Sequence, residues 1–398
     1  MSESAAYERD PYATECTAEV LVTGEDDGRP YAVLSDTVLF AEGGGQPADR
    51  GWIDEVGVVD VQRRGEQVRH YLSGNLTASQ VRVRLDWTRR FDHMQQHTGQ
   101  HLLTAVAEDR FGWATTAFHL GEAVCDVELA VAALNPAQLD ALEEAVAAEI
   151  RAARAVTTRR VSPEAFGALP RVRTRGLPEG HSGDVRLVEI ESVDLNTCGG
   201  THVASTSEIE ALKLLGTEPM RGGTRVSFAA GVRVRRRLAA HEARNNEVRT
   251  LLGVPDAEIA AAIAARLEDQ RQLEKRVRLA EKELAEALAT DLARRGEPLA
   301  EAHLQGRDLQ FLQSVGRAFA TAAPQALLFL TGGQEGQAFF LLVAGEACRA
   351  DVQALGREIA ACLGGRGGGS GRTYQGKTGD LSGRGAALEA LTRSGASR

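Results

Sequence analysis

Two short segments carry side chains that could share a metal ion. His97-Thr98-Gly99-Gln100-His101 sets two imidazoles at i and i+4, which are neighbours on one face of a helix. Cys198-Gly199-Gly200-Thr201-His202 sets a thiol and an imidazole at the same separation, and its glycines let the backbone fold closely around a centre. Together they offer three nitrogens and one sulfur, a donor set suited to tetrahedral Zn2+. Four protein ligands ordinarily make such an ion structural, whereas three ligands and a water make it hydrolytic. A ligand that yields, or expansion to five-coordinate, is a third option, and spacing leaves all three open. His93, four residues before His97, is a competing ligand. It ranks lower because it falls where the chain is expected to change from strand to helix.

The elements around these segments read as α+β. Short β-branched stretches at 20–22, 31–34, 37–40, 58–61 and 81–85, separated by Gly and Asp turns, fit a small barrel or curled sheet. A Gly-rich loop, Ala41-Glu42-Gly43-Gly44-Gly45-Gln46-Pro47, interrupts them. From about Asp92 the pattern predicts a helix to about Arg110 that carries both histidines. Leu139, Leu142, Val146 and Ile150 predict a second helix from Pro136 to about Ala153. Strands are expected at 185–190, 210–215 and 224–228. Residues 232–296 are charged and helical, broken at Gly253-Val254-Pro255. Leu273, Val277, Ala280, Leu284, Ala287 and Asp291 approach a 4-3 spacing there, which fits a solvated arm or a dimerising coiled coil. Strands at 326–330 and 338–343 and a helix at 349–362 predict a last α/β unit. The expected division is a β-barrel-like unit at 1–90, a zinc-bearing domain at 91–231, a helical arm at 232–296 and an α/β domain at 297–398.

Composition narrows the class. The 398 residues suggest two or three domains. Lys plus Arg number 46 against 55 Asp plus Glu, a net charge of −9, which argues against bulk electrostatic coating of nucleic acid but leaves room for a local basic groove. The apolar runs are too short to span a bilayer, and residues 1–15 lack the apolar centre of a secretory signal. A cytoplasmic setting without membrane attachment is expected. Five cysteines, an odd and scattered set, argue against a disulfide framework.

In this order, the Gly-rich loop through Ala48-Asp49-Arg50-Gly51, His97-x-x-x-His101 and Cys198-Gly-Gly-Thr-His202 resemble the editing domain of alanyl-tRNA synthetase and its free-standing AlaX relatives. The run Asp86-Trp87-Thr88-Arg89-Arg90 is similar too. Gly364-Gly-Arg-Gly-Gly-Gly369 resembles the DHH-associated C-terminal domain of the synthetase and of the long AlaX form. The Gly-rich loop begins at about residue 43, which leaves no room ahead of it for a class II aminoacylation domain. The resemblance therefore implies a trans-editing deacylase that hydrolyses Ser-tRNA(Ala), with Gly-tRNA(Ala) as a further candidate substrate. Such a second sieve is useful because an alanine pocket cannot strongly reject serine or glycine.

The resemblance carries His97, His101, Cys198 and His202 over as zinc ligands. Gln46 is the candidate to bond the ester or attacking water, and Gly43, Gly44 and Gly45 allow close backbone approach. Thr115 and Thr116 are candidates for sensing the serine hydroxyl, with Asp194 and Thr201 supporting the cysteine loop. Arg171, Arg173, Arg175, Arg366, Arg372 and Lys377 are candidate tRNA phosphate contacts, and the helical arm or C-terminal domain could form a homodimer. Two rival readings are a non-catalytic zinc-containing tRNA-binding module and a relative of DHH phosphoesterases. The second needs clustered aspartates, of which Phe91-Asp92-His93-Met94 is a near miss.

Overall fold

A computed structural model describes residues 4–169, 171–174, 183–334 and 336–395. The chain divides into two compact units, Met1–Glu247 and Val248–Arg398, and the fold is α+β as expected.

The first unit begins with a closed six-stranded barrel of β1 (Glu15–Asp26), β2 (Arg29–Leu34), β3 (Gly51–Ile53), β4 (Val56–Arg64), β5 (Gln67–Leu72) and β6 (Gln80–Leu85), ordered β1-β2-β5-β4-β3-β6. Alternation fills it: Val81, Val83 and Leu85 of β6 point inward between more exposed neighbours. Residues 37–40, expected as a strand, are not one. Val38, Leu39 and Phe40 are buried, and the Phe40 amide donates to the Asp49 carboxylate at 2.7 Å instead of to a ladder. Closure instead uses the short strand β3, where a Cβ on Gly51 would lie 2.1 Å from the Arg84 carbonyl oxygen.

Helix Trp87–Phe111 follows. Asp86 caps it by accepting from the Arg89 amide at 3.1 Å, and Gly112 ends it at φ 71°. It therefore starts about a turn before the expected Asp92, and His93 lies inside it. Sixteen of its residues are buried, because three layers enclose it. One is the sheet β12-β13-β8-β7, made of β7 (Thr115–Leu120), β8 (Cys125–Leu129), β12 (Leu212–Met220) and β13 (Gly223–Ala230). Another is helix Pro136–Arg151, entered through an Asn135–Gln138 capping box. The third is the sheet β11-β10-β9 of β9 (Val156–Val161), β10 (Val185–Ile190) and β11 (Asp194–Thr197). Gln96 locks the helix to β13 by donating to the Ala230 carbonyl and accepting from its amide, both at 2.9 Å.

Helix Val232–Leu252 stops at Gly253, whose φ is 71°. Helix Ile259–Arg294 of the second unit buries only Ala285, Ala289 and Leu292, leaving Leu273, Val277 and Leu284 exposed. A sheet ordered β14-β15-β16-β18-β17 follows, from β14 (Leu299–Gln305), β15 (Leu327–Gln334), β16 (Gln337–Ala344), β17 (Arg366–Ser370) and β18 (Thr373–Thr378). Helices Leu309–Ala322, Val352–Cys362 and Arg384–Gly395 accompany it. The glycine run is thus a strand, held by antiparallel pairing to β18. No helix among the described residues is long and apolar enough to cross a membrane.

Candidate metal centre and its cleft

Helix Trp87–Phe111 presents His97 and His101 one turn apart, and the loop after β11 brings Cys198 and His202 to them. One ligand atom from each of the four residues lies within 4.8 Å of the others. Cys198 Sγ is 3.3 Å from His97 Nε2 and 3.4 Å from His202 Nε2. A tetrahedral ion with bonds of roughly 2.1–2.3 Å separates its ligands by roughly 3.4–3.6 Å, so the cluster has the dimensions to hold one.

Each ring is fixed through its other nitrogen. His97 Nδ1 lies 2.9 Å from Gln46 Oε1. That oxygen also accepts from the Thr201 amide at 3.0 Å, while Gln46 Nε2 donates to Thr201 Oγ1 at 2.9 Å. The Gln46 oxygen is therefore the acceptor, Nδ1 carries the hydrogen, and the Nε2 lone pair faces the sulfur. His101 Nδ1 lies 3.0 Å from Asp194 Oδ2, and His202 Nδ1 lies 3.2 Å from Thr98 Oγ1. The Arg173 guanidinium holds the other Asp194 oxygen at 2.9 Å. Arg186 closes the cysteine loop by donating to the Cys198 and Gly200 carbonyls at 2.7 and 2.9 Å. Gly200 is obligatory in this packing, since a Cβ there would lie 2.3 Å from the His97 ring.

The electrostatics follow from burial and neighbours. Burial alone would raise the Cys198 thiol, but the His97 and His202 rings and the hydrogen bonds from His101 and His202 hold it well below its usual value. Burial disfavours a charge on His101, yet the bonds to Asp194 and Cys198 reverse this and raise it to about 10. Burial, then the His97 ring, pushes His202 down to about 3. A metal ion and the ring protons would compete for the same lone pairs.

A cleft of about 1050 Å³ opens beside the cluster. His97, Gln100, His101, Thr104 and Glu108 line it from one stripe of the helix, opposite Gly44, Gly45, Thr115, Phe118, Arg171 and Arg173. Gly44 and Gly45 have φ of 58° and 83°, and a Cβ on Gly45 would lie 2.8 Å from Phe118. The loop tip is pinned by a Gly43–Gln46 bridge.

Several expected roles change. Both ends of the Gln46 amide are engaged with Thr201 and His97, so Gln46 orients a ring and does not face the cleft contents. Thr116 Oγ1 donates to the Glu128 carbonyl at 3.2 Å, whereas Thr115 lines the cleft and its buried hydroxyl has no partner. Arg173 is ion-paired with Glu108, Asp109 and Asp194, so its guanidinium supports the centre and is not offered to phosphate. Arg171 is exposed and meets Asp109 at 2.5 Å. Arg175 lies outside the described residues. In the second unit Arg366 and Lys377 line a concave site of about 700 Å³ with Gly364–Gly368 and Gln375, while Arg372 clamps the Gly345 and Cys348 carbonyls. His93 is buried in the helix, and burial lowers it to about 4; it is not part of the cluster. Sequence reading overlooked Gln100, Thr98 and Arg186. The first two stand beside ligands in the His97–His101 segment, and that position was the available signal.

Known proteins resemble this arrangement over nearly its whole length. Residues 185–226, which include Cys198 and His202, match the threonyl and alanyl tRNA synthetase second additional domain. Over 406 aligned residues the chain is 37% identical to alanyl-tRNA editing protein Aarsd1 of Mus musculus, covering 95% of this chain and 94% of that one. It is 26% identical to alanyl-tRNA editing protein AlaX-L of Pyrococcus horikoshii, covering 93% of each. It is 32% identical to alanine–tRNA ligase of Ignicoccus hospitalis over 81% of this chain but 36% of that ligase. An identity of 37% sustained from end to end identifies the family, and the chain belongs to the alanyl-tRNA editing proteins.

Proposed function

We propose that this protein is a trans-editing deacylase that hydrolyses the ester of Ser-tRNA(Ala), with Gly-tRNA(Ala) as a second substrate, at a Zn2+ centre held by His97, His101, Cys198 and His202. The observation that carries this reading is the convergence of those four donors on the wall of a cleft of about 1050 Å³, within a chain 37% identical to an alanyl-tRNA editing protein. Zinc bound there would supply a Lewis-acid charge beside the ester.

The chain's own residues supply the geometry. Gln46, Asp194 and Thr98 fix the three rings, so the ligand atoms stay aimed at one point. Gly44 and Gly45 let backbone approach the terminal nucleotide. Phe118, which packs against the His97 ring with centroids 6.4 Å apart, adds apolar surface that limits water. Exposed Arg171, Arg366 and Lys377 are the basic groups assigned to tRNA phosphates. The exposed apolar row on helix Ile259–Arg294 supports a homodimer through the arm.

The test is deacylation of Ser-, Gly- and Ala-tRNA(Ala) by wild type and Cys198→Ala. Wild type should release serine and spare alanine, and the variant should lose at least about a hundredfold in rate. Persistence of intact Ser-tRNA(Ala) with wild type would refute the editing reading. Zinc analysis is separate: a stoichiometric ion should fall in His101→Ala, and unchanged content would remove His101 from the ligand set.

A further inference from the structure

Among the described residues, Arg171, Arg173 and Arg186 line the cleft, and they differ in what neutralises them. Arg171 meets Asp109, and Arg173 is held by Glu108, Asp109 and Asp194. Arg186, on β10, has no carboxylate within 4.0 Å among the described residues. Glu8, an acid whose charge reaches it, is committed to Arg160 at 2.6 Å. The Cys198 sulfur also acts on it, but that charge is spent once the four donors hold a divalent ion. A partly buried guanidinium without a counter-charge is costly, and one that faces a cleft marks the place of an anion.

Only one nitrogen of Arg186 is used within the protein. Nη1 donates to the Cys198 and Gly200 carbonyls at 2.7 and 2.9 Å, which fixes the guanidinium plane beside the metal cluster. Nε and Nη2 have no partner, and neither is sealed from solvent. They form one edge of the fork, two N–H groups side by side, which matches two oxygens of a single anion. Gly199 stands between the two clamped carbonyls and lines the cleft too, and a Cβ on it would meet nothing within 4 Å. Space for a ligand is therefore open at this end of the wall.

The substrate's chemistry identifies the anion. The aminoacyl group offers none, because its carboxyl is esterified and its α-amine is cationic. The negative charge closest to the ester is the phosphodiester on the 5′ side of the terminal nucleotide. A guanidinium bonded to the carbonyl of Cys198 stands about one nucleotide from an ester held at the cluster. Resting on the deacylase reading, we propose that Arg186 binds the phosphodiester joining the last two nucleotides of the tRNA, through Nε and Nη2. The same side chain thereby joins the grip on the acceptor end to the loop that carries Cys198.

The test is a cycle that changes both sides of the contact. Two seryl minihelices with the tRNA(Ala) acceptor stem are compared, one natural and one with a neutral methylphosphonate at the last linkage. Wild type should prefer the natural one by about 10- to 100-fold in kcat/KM. Arg186→Gln can slow both substrates through the cysteine loop, but the ratio between them should collapse to near one. Arg186→Lys, which keeps a charge but not the fork, should fall between. A wild-type ratio near one would overturn the proposal. So would a wild-type ratio preserved in Arg186→Gln, which would leave the residue as a brace of the loop alone. Binding separates this proposal from the deacylase reading. The probes are the seryl amide of 3′-amino-3′-deoxyadenosine and its 5′-monophosphate, titrated into the full chain by calorimetry. The phosphate should strengthen binding to wild type at least about tenfold and to Arg186→Gln by far less, even if no ester is hydrolysed. Equal gains in both proteins would overturn the assignment of the phosphate to Arg186.

Discussion

The two units bury different kinds of side chain. Among the described residues, twenty-one buried polar or charged side chains lie in the first unit and two, Thr331 and Thr378, in the second. The second unit has cores of Phe, Leu, Val and Ala such as Phe319, Phe329 and Leu341. The first buries Arg90, Asp49, Asp194 and five histidines, including those of the cluster. Burying polar groups stabilises little and is costly when pairing fails. A unit that does so throughout has its interior shaped by something besides folding, and that unit holds the cleft. Apart from Thr331 and Thr378, the described polar groups of the second unit are not buried.

This contrast can be broken by substitution. The largest effect is expected at Arg90, which is fully buried and donates to Asp49 at 2.5 Å and to the Pro11 and Val38 carbonyls. Arg90→Leu strands the Asp49 carboxylate and should cost about 3–5 kcal/mol. Amide exchange should accelerate in the first unit and not the second. Equal acceleration in both would mean that the units do not unfold separately. Next comes acid. His70 is buried between Thr37 Oγ1 and the Ala32 carbonyl, and burial lowers it to about 4. Unfolded histidine takes up a proton near pH 6.5, so the unfolded state gains protons first as pH falls. The stability present above pH 6.5 is lost between 6.5 and 4, by roughly 3 kcal/mol, and His93 adds in the same direction. Denaturation midpoints across that window should fall for wild type and fall less for His70→Gln; parallel curves would place the sensitivity elsewhere.

Smaller effects sharpen the comparison. Asp194→Asn keeps the shape but not the charge beside His101, and metal affinity should drop about 10- to 100-fold in competition with a chelator. An unaltered affinity would make the carboxylate a packing group. Leu273→Glu, on the exposed face of helix Ile259–Arg294, should change folding stability by under about 0.5 kcal/mol while reducing any dimer seen by sedimentation. A mass that does not respond would take the arm out of self-association.

What was legible in the sequence follows from how local each signal is. The ligand spacings, the helix from Pro136, the break at Gly253 and the strand β10 are written in adjacent residues, and each is found where the sequence places it. Strands β3, β5 and β14 were missed because pairing, not composition, makes them strands. The glycine run of β17 has low strand propensity of its own and is held by β18. Residues 37–40 mislead in the other direction, being apolar enough for a strand but committed to Asp49. At the site, the residue types announced a cluster of donors able to hold a metal, and the four come together. The partners that fix the rings lie 51, 93 and 104 residues away from them, and no spacing rule reaches that far.

The ligands also reach the folding chain at different times. His97 and His101 belong to one helix, but Cys198 comes 97 residues after His101. At a synthesis rate of about 5–20 residues per second, the ribosome carries half of the centre for roughly 5–20 s before the other half is made. During that interval two imidazoles without a thiolate form a weak, poorly selective site. The full four-donor set therefore exists only once the cysteine loop is delivered, and the order of synthesis itself sets how late it is completed.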